Sequence, residues 1–213
     1  MDELIIIGAG DHARVALETA RACAFAVRAF IEPARDRRPS PSIAGIPVLD
    51  ELAAVDDGDV AFIVSIGENR ARAALFDRAV AAGGNPATLI HPTAIVLKGA
   101  TIGAGSHICA AAVIGLDVRV ADDVIVNTAA VLDHDDVIRD HAFVGPGARL
   151  AGRVFVDRGA HIGIGSTVIE RRRIGSWSLI AAGAVVVSEV TPGARVAGVP
   201  ARAMHAQGGT SQE

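Results

Sequence analysis

Four consecutive residues, Asp133-His134-Asp135-Asp136, form the segment of this sequence best suited to proton transfer. An imidazole titrates near neutral pH, so it can take a proton from an amine or hydroxyl that attacks an electrophile. A neighbouring carboxylate would orient the ring and stabilise the imidazolium. Asp135 follows His134 directly, and Asp133 or Asp136 could serve instead. The segment therefore predicts His134 as a general base with one carboxylate partner, a solvated corner being the alternative.

A glycine-rich segment, residues 8–14, is a second candidate site. It has the sequence G-A-G-D-H-A-R and lies between an apolar run and an amphipathic stretch. Backbone N–H groups exposed at the start of a helix suit phosphate. The third glycine of a dinucleotide fingerprint is absent because Ala13 stands in its place, so NAD is not favoured. We expect this loop to bind a phosphate or nucleotide group, and an ordinary tight turn is the alternative.

Beyond these sites, a six-residue rhythm organises the C-terminal part of the chain. An aliphatic residue recurs 17 times at every sixth position from Ile90 to Val186, and a small residue or Val follows four positions later in 15 cases. The exceptions are Asp136 and Arg172. This period fits a coil with flat sides and tight corners, in which the aliphatic residue points inward.

The same period predicts which residues lie above one another. If three hexads make one coil, residues 18 apart stack at about 5 Å, the spacing of adjacent strands. Gly152 is 18 residues after His134. A position without a side chain would then lie beside the histidine and leave room for a ligand.

The N-terminal part has a different pattern, in which short apolar runs alternate with amphipathic segments. The predicted strands are residues 4–7, 29–31 and 60–66, and the predicted helices are residues 12–24 and 70–82. This alternation indicates a small parallel α/β sheet. A polar, proline-rich stretch spans residues 33–41, and Gly83-Gly84-Asn85-Pro86 is a clear break. We expect one domain over residues 1–85, a second over 86–206, and a disordered polar tail over 207–213.

Together the hexads and motifs resemble the hexapeptide-repeat sugar acetyltransferases of the NeuD/PglD type. The motifs are I-I-I-G-A-G-D-H-A-R, S-I-G-E-N-R-A-R, L-I-H-P-T-A, N-T-A-A-V-L-D-H-D-D and the terminal V-A-G-V-P-A-R. The resemblance covers the whole chain and implies a Rossmann-like domain followed by a left-handed parallel β-helix. It also implies a homotrimer with active sites between neighbouring helices. The implied activity is acetyl-CoA-dependent N-acetylation of a nucleotide-linked 4-amino sugar.

The resemblance assigns roles to individual residues. It implies that His134 is the general base and that Asp135 is the supporting carboxylate. It also implies that the backbone N–H of Gly152 donates a hydrogen bond to the carbonyl oxygen. The implied nucleotide-sugar contacts are Gly8, Gly10, Asp11, His12, Arg14, Glu32, Gly67, Asn69 and Asn127. The implied coenzyme A contacts are Gly152, Ile164, Ala182, Gly198, Pro200 and Arg202.

Two positions depart from the family pattern. Phe143 stands where the family often has a second histidine, nine positions after the base, and His141 is close in sequence. Glu32-Pro33 replaces the family's usual Asp-Asp, which leaves the preferred nucleotide base open. Arg171-Arg172-Arg173 could contact a coenzyme A phosphate, although a solvated outer face is the simpler explanation.

Composition excludes several other classes of protein. The net charge of −4 does not indicate a nucleic-acid surface. Two distant cysteines, Cys23 and Cys109, fit a reduced, cytoplasmic protein, and Cys109 is expected to pack rather than act as a nucleophile. The apolar run at residues 4–7 is too short for a signal peptide or membrane span.

A zinc site is not expected either. The carbonic anhydrases that share this β-helix have a ligand pair five residues apart, and no two histidines here, including His107, His141 and His161, have that spacing. Two alternatives to the sugar N-acetyltransferase remain: O-acetylation of sialic acid or serine, and a non-catalytic trimeric scaffold that binds a sugar nucleotide.

Overall fold

The computed structural model describes residues 2–32, 41–50 and 60–204. Most of the proline-rich stretch and the polar tail from 207 onward therefore lie outside the described residues. The elements of the N-terminal part are β1 Glu3–Ile7, α1 Asp11–Ala22, β2 Ala26–Ile31, β3 Ser42–Ile43, β4 Ile46–Leu49, β5 Ala61–Val64, α2 Asn69–Ala81 and β6 Asn85–Pro86. These strands form one sheet in the order β3-β4-β2-β1-β5-β6, in which only β3 and β4 pair antiparallel.

Both faces of this sheet are covered. Leu4 and Ile6 of β1 pack with α1 on one face, while Ile5 and Ile7 pack with α2 on the other. A central strand buried on both faces needs an unbroken apolar run, which is why residues 4–7 have no polar alternation. The predicted α/β architecture is confirmed, although β2 begins three residues earlier than predicted. The sequence analysis missed the β3–β4 hairpin, whose strands are short and joined by Ala44 and Gly45 at positive φ.

The rest of the chain winds into a left-handed parallel β-helix with three flat sides. Side 1 contains β7 Leu89–Ile90, β10 His107–Ile108, β13 Ile125–Val126, β16 Phe143–Val144, β19 His161–Ile162, β22 Leu179–Ile180, β24 Arg195–Ala197 and the antiparallel β25 Arg202–Ala203. Side 2 contains β8 Ile95–Val96, β11 Val113–Ile114, β14 Val131–Leu132, β17 Arg149–Leu150, β20 Thr167–Val168 and β23 Val185–Val186. Side 3 contains β9 Thr101–Ile102, β12 Arg119–Val120, β15 Val137–Ile138, β18 Phe155–Val156 and β21 Arg173–Ile174.

The 18-residue register is confirmed along the helix. His107 pairs with Ile125, and Val131 pairs with Arg149. The inward aliphatic residues from Ile108 to Val186 are almost fully buried. The final coil is shorter, because Leu179 pairs with Arg195 rather than with a residue 18 positions later. The hexad series therefore ends at the last strand of the regular coils.

Helix α2 docks the N-terminal sheet on the corner between sides 3 and 1. One residue of each coil at this corner has positive φ, and these residues stack as Gly105, Asp123, His141, Gly159 and Trp177. The Asn69 side chain donates to the Gly159 carbonyl at 3.0 Å, and the Arg70 guanidinium lies 4.4 Å from the Trp177 ring centroid. A Cβ on Gly105 would meet the Phe76 ring, so glycine there admits the helix.

Arg72 is the centre of this junction and is fully buried. Its Nε donates to the Asp123 carboxylate at 3.2 Å, and its Nη1 donates to Asn69 Oδ1 at 2.8 Å and to the Ile66 carbonyl at 3.3 Å. Its Nη2 donates to the carbonyls of His141 and Ala142. One guanidinium therefore ties the loop before α2 to two successive coils at the corner, through the Asp123 carboxylate and the carbonyls of His141 and Ala142.

Candidate functional site

His134 and Asp135 lie at the corner between sides 2 and 3, between β14 and β15. His134 Nδ1 and Asp135 Oδ2 are 2.8 Å apart, and both side chains are nearly half exposed. Asp135 has a φ of 58°, which turns its carboxylate back toward the ring. A carboxylate at Nδ1 favours the tautomer with the proton on Nδ1 and leaves Nε2 free to accept a proton. Of the three aspartates considered from sequence, Asp135 makes this contact.

Asp136 bonds to the backbone instead. Its carboxylate is buried and accepts the backbone N–H of Val154 at 2.7 Å and that of Asp133 at 3.1 Å. Burial raises the pKa of Asp136 to about 7. These two hydrogen bonds explain why an acidic residue replaces a small one at this hexad position: it holds the turn that carries His134.

Gly152 lies directly above the imidazole on the next coil. A Cβ built on Gly152 would be 2.4 Å from His134 Nε2, and the Arg153 N–H donates to the His134 carbonyl at 2.9 Å. Within the described residues, the Gly152 N–H has no hydrogen-bond partner. The stack predicted from the 18-residue period is therefore present, and it brings the His134 imidazole next to a backbone N–H without a partner in the described part of the chain.

Replacing Gly152 with alanine should displace the imidazole. The new methyl group would overlap Nε2, while the Gly152 φ is one that alanine accepts, so the ring rather than the backbone would move. We expect turnover to fall by about 10-fold or more, since general-base catalysis depends on placement of the base, with little change in melting temperature. Because the loss acts through one ring, Gly152→Ala combined with His134→Ala should be no less active than His134→Ala alone. Additive losses would contradict this explanation.

The glycine loop lies at the carboxyl ends of β1 and β5, next to the point where the strand order reverses. Ligands of open α/β sheets bind in such a crevice. Gly10 is the N-cap of α1 and has no side-chain capping bond, and Asp11 and Arg14 are exposed. The Ala9 N–H donates to Glu32 Oε2 at 2.8 Å. The predicted loop residues Gly8, Gly10, Asp11, His12, Arg14 and Glu32 are therefore brought together around the start of α1.

Three buried polar atoms lie close to this crevice without a partner among the described residues: His12 Nε2, His107 Nδ1 and Ser65 Oγ. The His12 and His107 rings are 5.4 Å apart. Burial lowers the pKa of His12 to about 4 and that of His107 to about 3, so both imidazoles are neutral near pH 7. Buried polar atoms are normally hydrogen-bonded, so these three atoms are candidates for contacts with a polar ligand or water. Sequence reasoning singled out His12 and missed Ser65 and the burial of His107 beside it.

A cavity of about 410 Å³ opens between the start of α2 and the β-helix. It is lined by Gly67, Asn69, Arg70, His161, Trp177 and Leu179, among others. At its rim the Glu68 carboxylate accepts the N–H groups of Arg70 at 2.9 Å and Ala71 at 2.7 Å. The N-terminus of α2 is thus capped by the chain's own carboxylate, whereas that of α1 is open. The crevice and this cavity together make up the candidate cleft for an acceptor, and Glu68 is a residue of the cavity that the sequence analysis did not identify.

A third group of predicted residues lies at the corner between sides 1 and 2. Ile164 is 58% exposed, and Ala182 lies one coil above it, next to the turn that contains Gly198, Pro200 and Arg202. Asn127 lies at the same corner, where its Oδ1 accepts the Thr128 N–H at 2.8 Å. Within one chain, Asn127 is therefore not next to His134, and Gly152 is separated from the other predicted coenzyme A contacts.

The three groups occupy three different regions of the triangular β-helix. His134, Asp135 and Gly152 are at the corner opposite side 1, while the cleft under the N-terminal sheet lies on side 1 and the corner between sides 3 and 1. The hydrophobic interior separates them. Within one chain, the candidate cleft is consequently remote from the His134 imidazole.

Phe143, which departs from the family pattern, contacts a histidine ring in the structure. Phe143 stacks on His161 with ring centroids 4.6 Å apart and an interplanar angle of 9°, so His161 lies one coil above the position that Phe143 occupies. His141 points elsewhere: it is buried and its Nδ1 lies 2.8 Å from Asp123 Oδ2. Across residues 2–32, 41–50 and 60–204, no group of three or more His, Cys, Asp or Glu side chains could hold a metal ion. In the same residues, no helix is long and apolar enough to span a bilayer.

Comparison with known proteins gives a family for this architecture. Residues 3–79 match the PglD N-terminal domain family. PerB from Caulobacter crescentus, solved with CoA and GDP-perosamine, is 34% identical over 96% of this chain and 98% of that one, with a TM-score of 0.90. The chain belongs to the NeuD/PglD-type sugar acetyltransferases.

Two further members of this acetyltransferase family match. The acetyltransferase domain of PglB from Neisseria gonorrhoeae, solved with acetyl coenzyme A, is 34% identical over 95% of this chain and 98% of that one, with a TM-score of 0.88. A GDP-perosamine N-acetyltransferase of Escherichia coli is 30% identical over 107 residues, which are 50% of this chain and 48% of that enzyme. The chain thus matches about half the length of this curated NeuD/PglD-type relative and nearly the full length of the solved ones.

Proposed function

We propose that this protein transfers the acetyl group of acetyl-CoA to the amino group of a nucleotide-linked 4-amino sugar. The observation that carries the proposal is the placement of His134 Nε2 against Gly152, whose backbone N–H has no hydrogen-bond partner in the described part of the chain. Full-length likeness to enzymes solved with CoA and GDP-perosamine, or with acetyl coenzyme A, supports the choice of substrate classes. A crevice at the carboxyl ends of β1 and β5, the place where ligands of open α/β sheets bind, supports a nucleotide-linked acceptor.

In the proposed reaction, His134 acts as a general base without forming a covalent intermediate. Its Nε2 takes a proton from the sugar amine as the amine nitrogen attacks the thioester carbonyl carbon. The carbonyl oxygen becomes negatively charged and accepts a hydrogen bond from the Gly152 N–H, a donor whose position is fixed by the coil. When the C–S bond breaks, the coenzyme A sulfur leaves with the electron pair and takes the proton from the imidazolium. Asp135 keeps the ring oriented and stabilises its charged form.

We also propose that the working unit is a homotrimer in which one subunit's base serves the cleft of the next. The acceptor cleft and the base occupy opposite regions of one β-helix, so a second copy is required to bring them together. The predicted coenzyme A residues divide in the same way, with Gly152 at one corner and Ile164, Ala182, Gly198, Pro200 and Arg202 at another. A groove between two parallel β-helices would unite both parts, and closed cyclic symmetry would repeat it three times.

The activity is tested by measuring free thiol release from acetyl-CoA with a panel of acceptors. The panel contains GDP-, UDP- and dTDP-linked 4-amino sugars, each paired with the sugar that carries a hydroxyl in place of the amine. We expect thiol release and an acetylated sugar nucleotide with at least one amino sugar and none with its hydroxyl counterpart. Serine and sialic acid are included as acceptors for O-acetylation.

Two outcomes would overturn this proposal. Turnover with serine or sialic acid but with no amino sugar would identify an O-acetyltransferase. Saturable binding of a sugar nucleotide, measured by calorimetry, without thiol release from acetyl-CoA would identify a binding module.

A further inference from the structure

The carboxylate that orients His134 has a second partner on the next coil. Arg153 Nε lies 3.4 Å from Asp135 Oδ2, the same oxygen that lies 2.8 Å from His134 Nδ1. Arg153 stacks 18 residues above Asp135, and its backbone N–H donates to the His134 carbonyl at 2.9 Å. One residue therefore contacts both members of the pair, through its backbone and through its guanidinium.

Arg153 has a left-handed backbone conformation. Its φ is 65°, in the left-handed region that glycine occupies at the bottom of the same stack, where Gly99 has a φ of 78°. The stack continues upward through Asp117, Asp135, Arg153 and Arg171, all at positive φ. In this conformation the arginine side chain can reach back to the coil beneath it.

We infer that Arg153 is a positioning residue for the His134–Asp135 pair: its guanidinium fixes the Asp135 carboxylate so that the imidazole keeps Nε2 against Gly152. This inference rests on the proposed function of His134 as the base. Arg153 does not contact the reacting atoms in this arrangement. It acts through Asp135, and the opposite charges of arginine and aspartate keep the carboxylate ionised.

The surrounding charges agree with this role. The hydrogen bond from His134, together with the nearby cations Arg153 and Arg119, lowers the pKa of Asp135. The charged groups around the pair are Asp117 and Arg119 from the coil below, Asp133 and Asp136 from its own turn, Arg153 from the coil above, and Glu170 and Arg171 from the coil beyond. Arg153 and Asp135 are about half exposed, so their attraction is screened by salt and contributes little to folding. A contribution to placement should therefore be visible in catalysis rather than in stability.

Arg153→Gln tests the inference, with Arg171→Gln as its matched control. Arg171 has a φ of 59° at the same position one coil above and has no ion pair with Asp135 in the described residues, so both variants carry glutamine in the same backbone conformation. We expect Arg153→Gln to lower kcat by about 3–10-fold at neutral pH, a fraction of a general base's full contribution, with KM and melting temperature unchanged. Loss of the cation should favour the imidazolium and move the acid limb of the kcat/KM profile to higher pH. Arg153→Lys should restore the acid limb but only part of kcat.

A measurement without substrate separates this inference from the proposed function. The ring proton signals of His134, followed by NMR during a pH titration of the free protein, should move to a higher midpoint in Arg153→Gln and stay at the wild-type midpoint in Arg171→Gln. The difference should shrink in 1 M salt, where the screening length is about 3 Å. Superimposable titrations of Arg153→Gln and wild type, or equal shifts in both variants, would overturn the role of Arg153. A wild-type protein that acetylates no amino sugar would instead overturn the proposed function, whatever the titrations show.

Discussion

His134→Ala should reduce kcat by about 10²–10⁴-fold, the usual contribution of a positioned general base. The methyl group of alanine cannot take the proton from the attacking amine, while the Gly152 N–H remains in place. The side chain of His134 is 47% exposed, so its loss should leave the melting temperature almost unchanged. Steady-state thiol release with the best amino-sugar acceptor gives kcat. His91→Ala is the control because His91 bonds locally to Thr93 in the first coil and should leave turnover intact. Wild-type turnover in His134→Ala would remove the proposed mechanism.

The same variant reveals whether the base serves a neighbouring subunit. Gly67 is at the cavity, and a Cβ there meets nothing within 4 Å, so Gly67→Trp can fill the cleft without strain. Each variant alone should be inactive. Unfolding and refolding an equimolar mixture should restore about a quarter of wild-type turnover, the share of sites in a symmetric ring that combine an intact base with an intact neighbouring cleft. Mixed oligomers without any recovery would show that each chain uses its own base.

Arg72→Met should lower the free energy of unfolding by about 3–5 kcal/mol, the usual cost of leaving one member of a buried ion pair without its partner. The Asp123 carboxylate would remain buried without its arginine partner, and the carbonyls of Ile66, His141 and Ala142 would lose a donor. Urea denaturation followed by circular dichroism gives the change. Arg78→Ala, on the exposed face of the same helix, should change the free energy of unfolding by no more than about 0.5 kcal/mol.

The position of Arg72 adds a catalytic consequence to this prediction. Its guanidinium holds Asn69 and the Ile66 carbonyl, which flank Gly67 at the cavity, so the variant should also raise KM for the acceptor while KM for acetyl-CoA stays constant. Equal midpoints for Arg72→Met and Arg78→Ala would show that the junction does not depend on this arginine.

Much of this architecture could be predicted from the sequence because the hexad pattern of the β-helix recurs 17 times in one register. A period that fixes which residues stack also fixes that His134 lies under Gly152, and no long-range information is needed. The junction between the two parts could not be predicted in this way. Arg72 looks like an ordinary helical arginine in a segment rich in arginine, and its burial depends on Asp123 and His141, which are 51 and 69 residues away in sequence. The choice of Asp135 over Asp136 also required coordinates, because it depends on a left-handed backbone conformation and on which carboxylate the turn buries.

The β3–β4 hairpin and the polar cluster at His107 were missed for a related reason. The hairpin strands have two and four residues, too few for a periodic pattern to be recognised. His107 precedes an inward Ile108 and so has the position of an ordinary outward residue, yet α1 covers it and Thr19 lies 3.0 Å from its Nε2. The docking position of the N-terminal sheet decides which outward residues become buried. The hexad pattern does not predict that position.

The 18-residue stacking of His134 and Gly152 restricts how the length of this chain can vary. Inserting or deleting a single residue between them would rotate every later side chain to another face and remove the glycine from above the imidazole. Insertions and deletions inside the β-helix therefore preserve the stack of His134 and Gly152 only if they are whole coils, or loops that leave a corner and return to it. Whole coils added beyond Ile180 would lengthen the β-helix without disturbing the stack of His134 and Gly152.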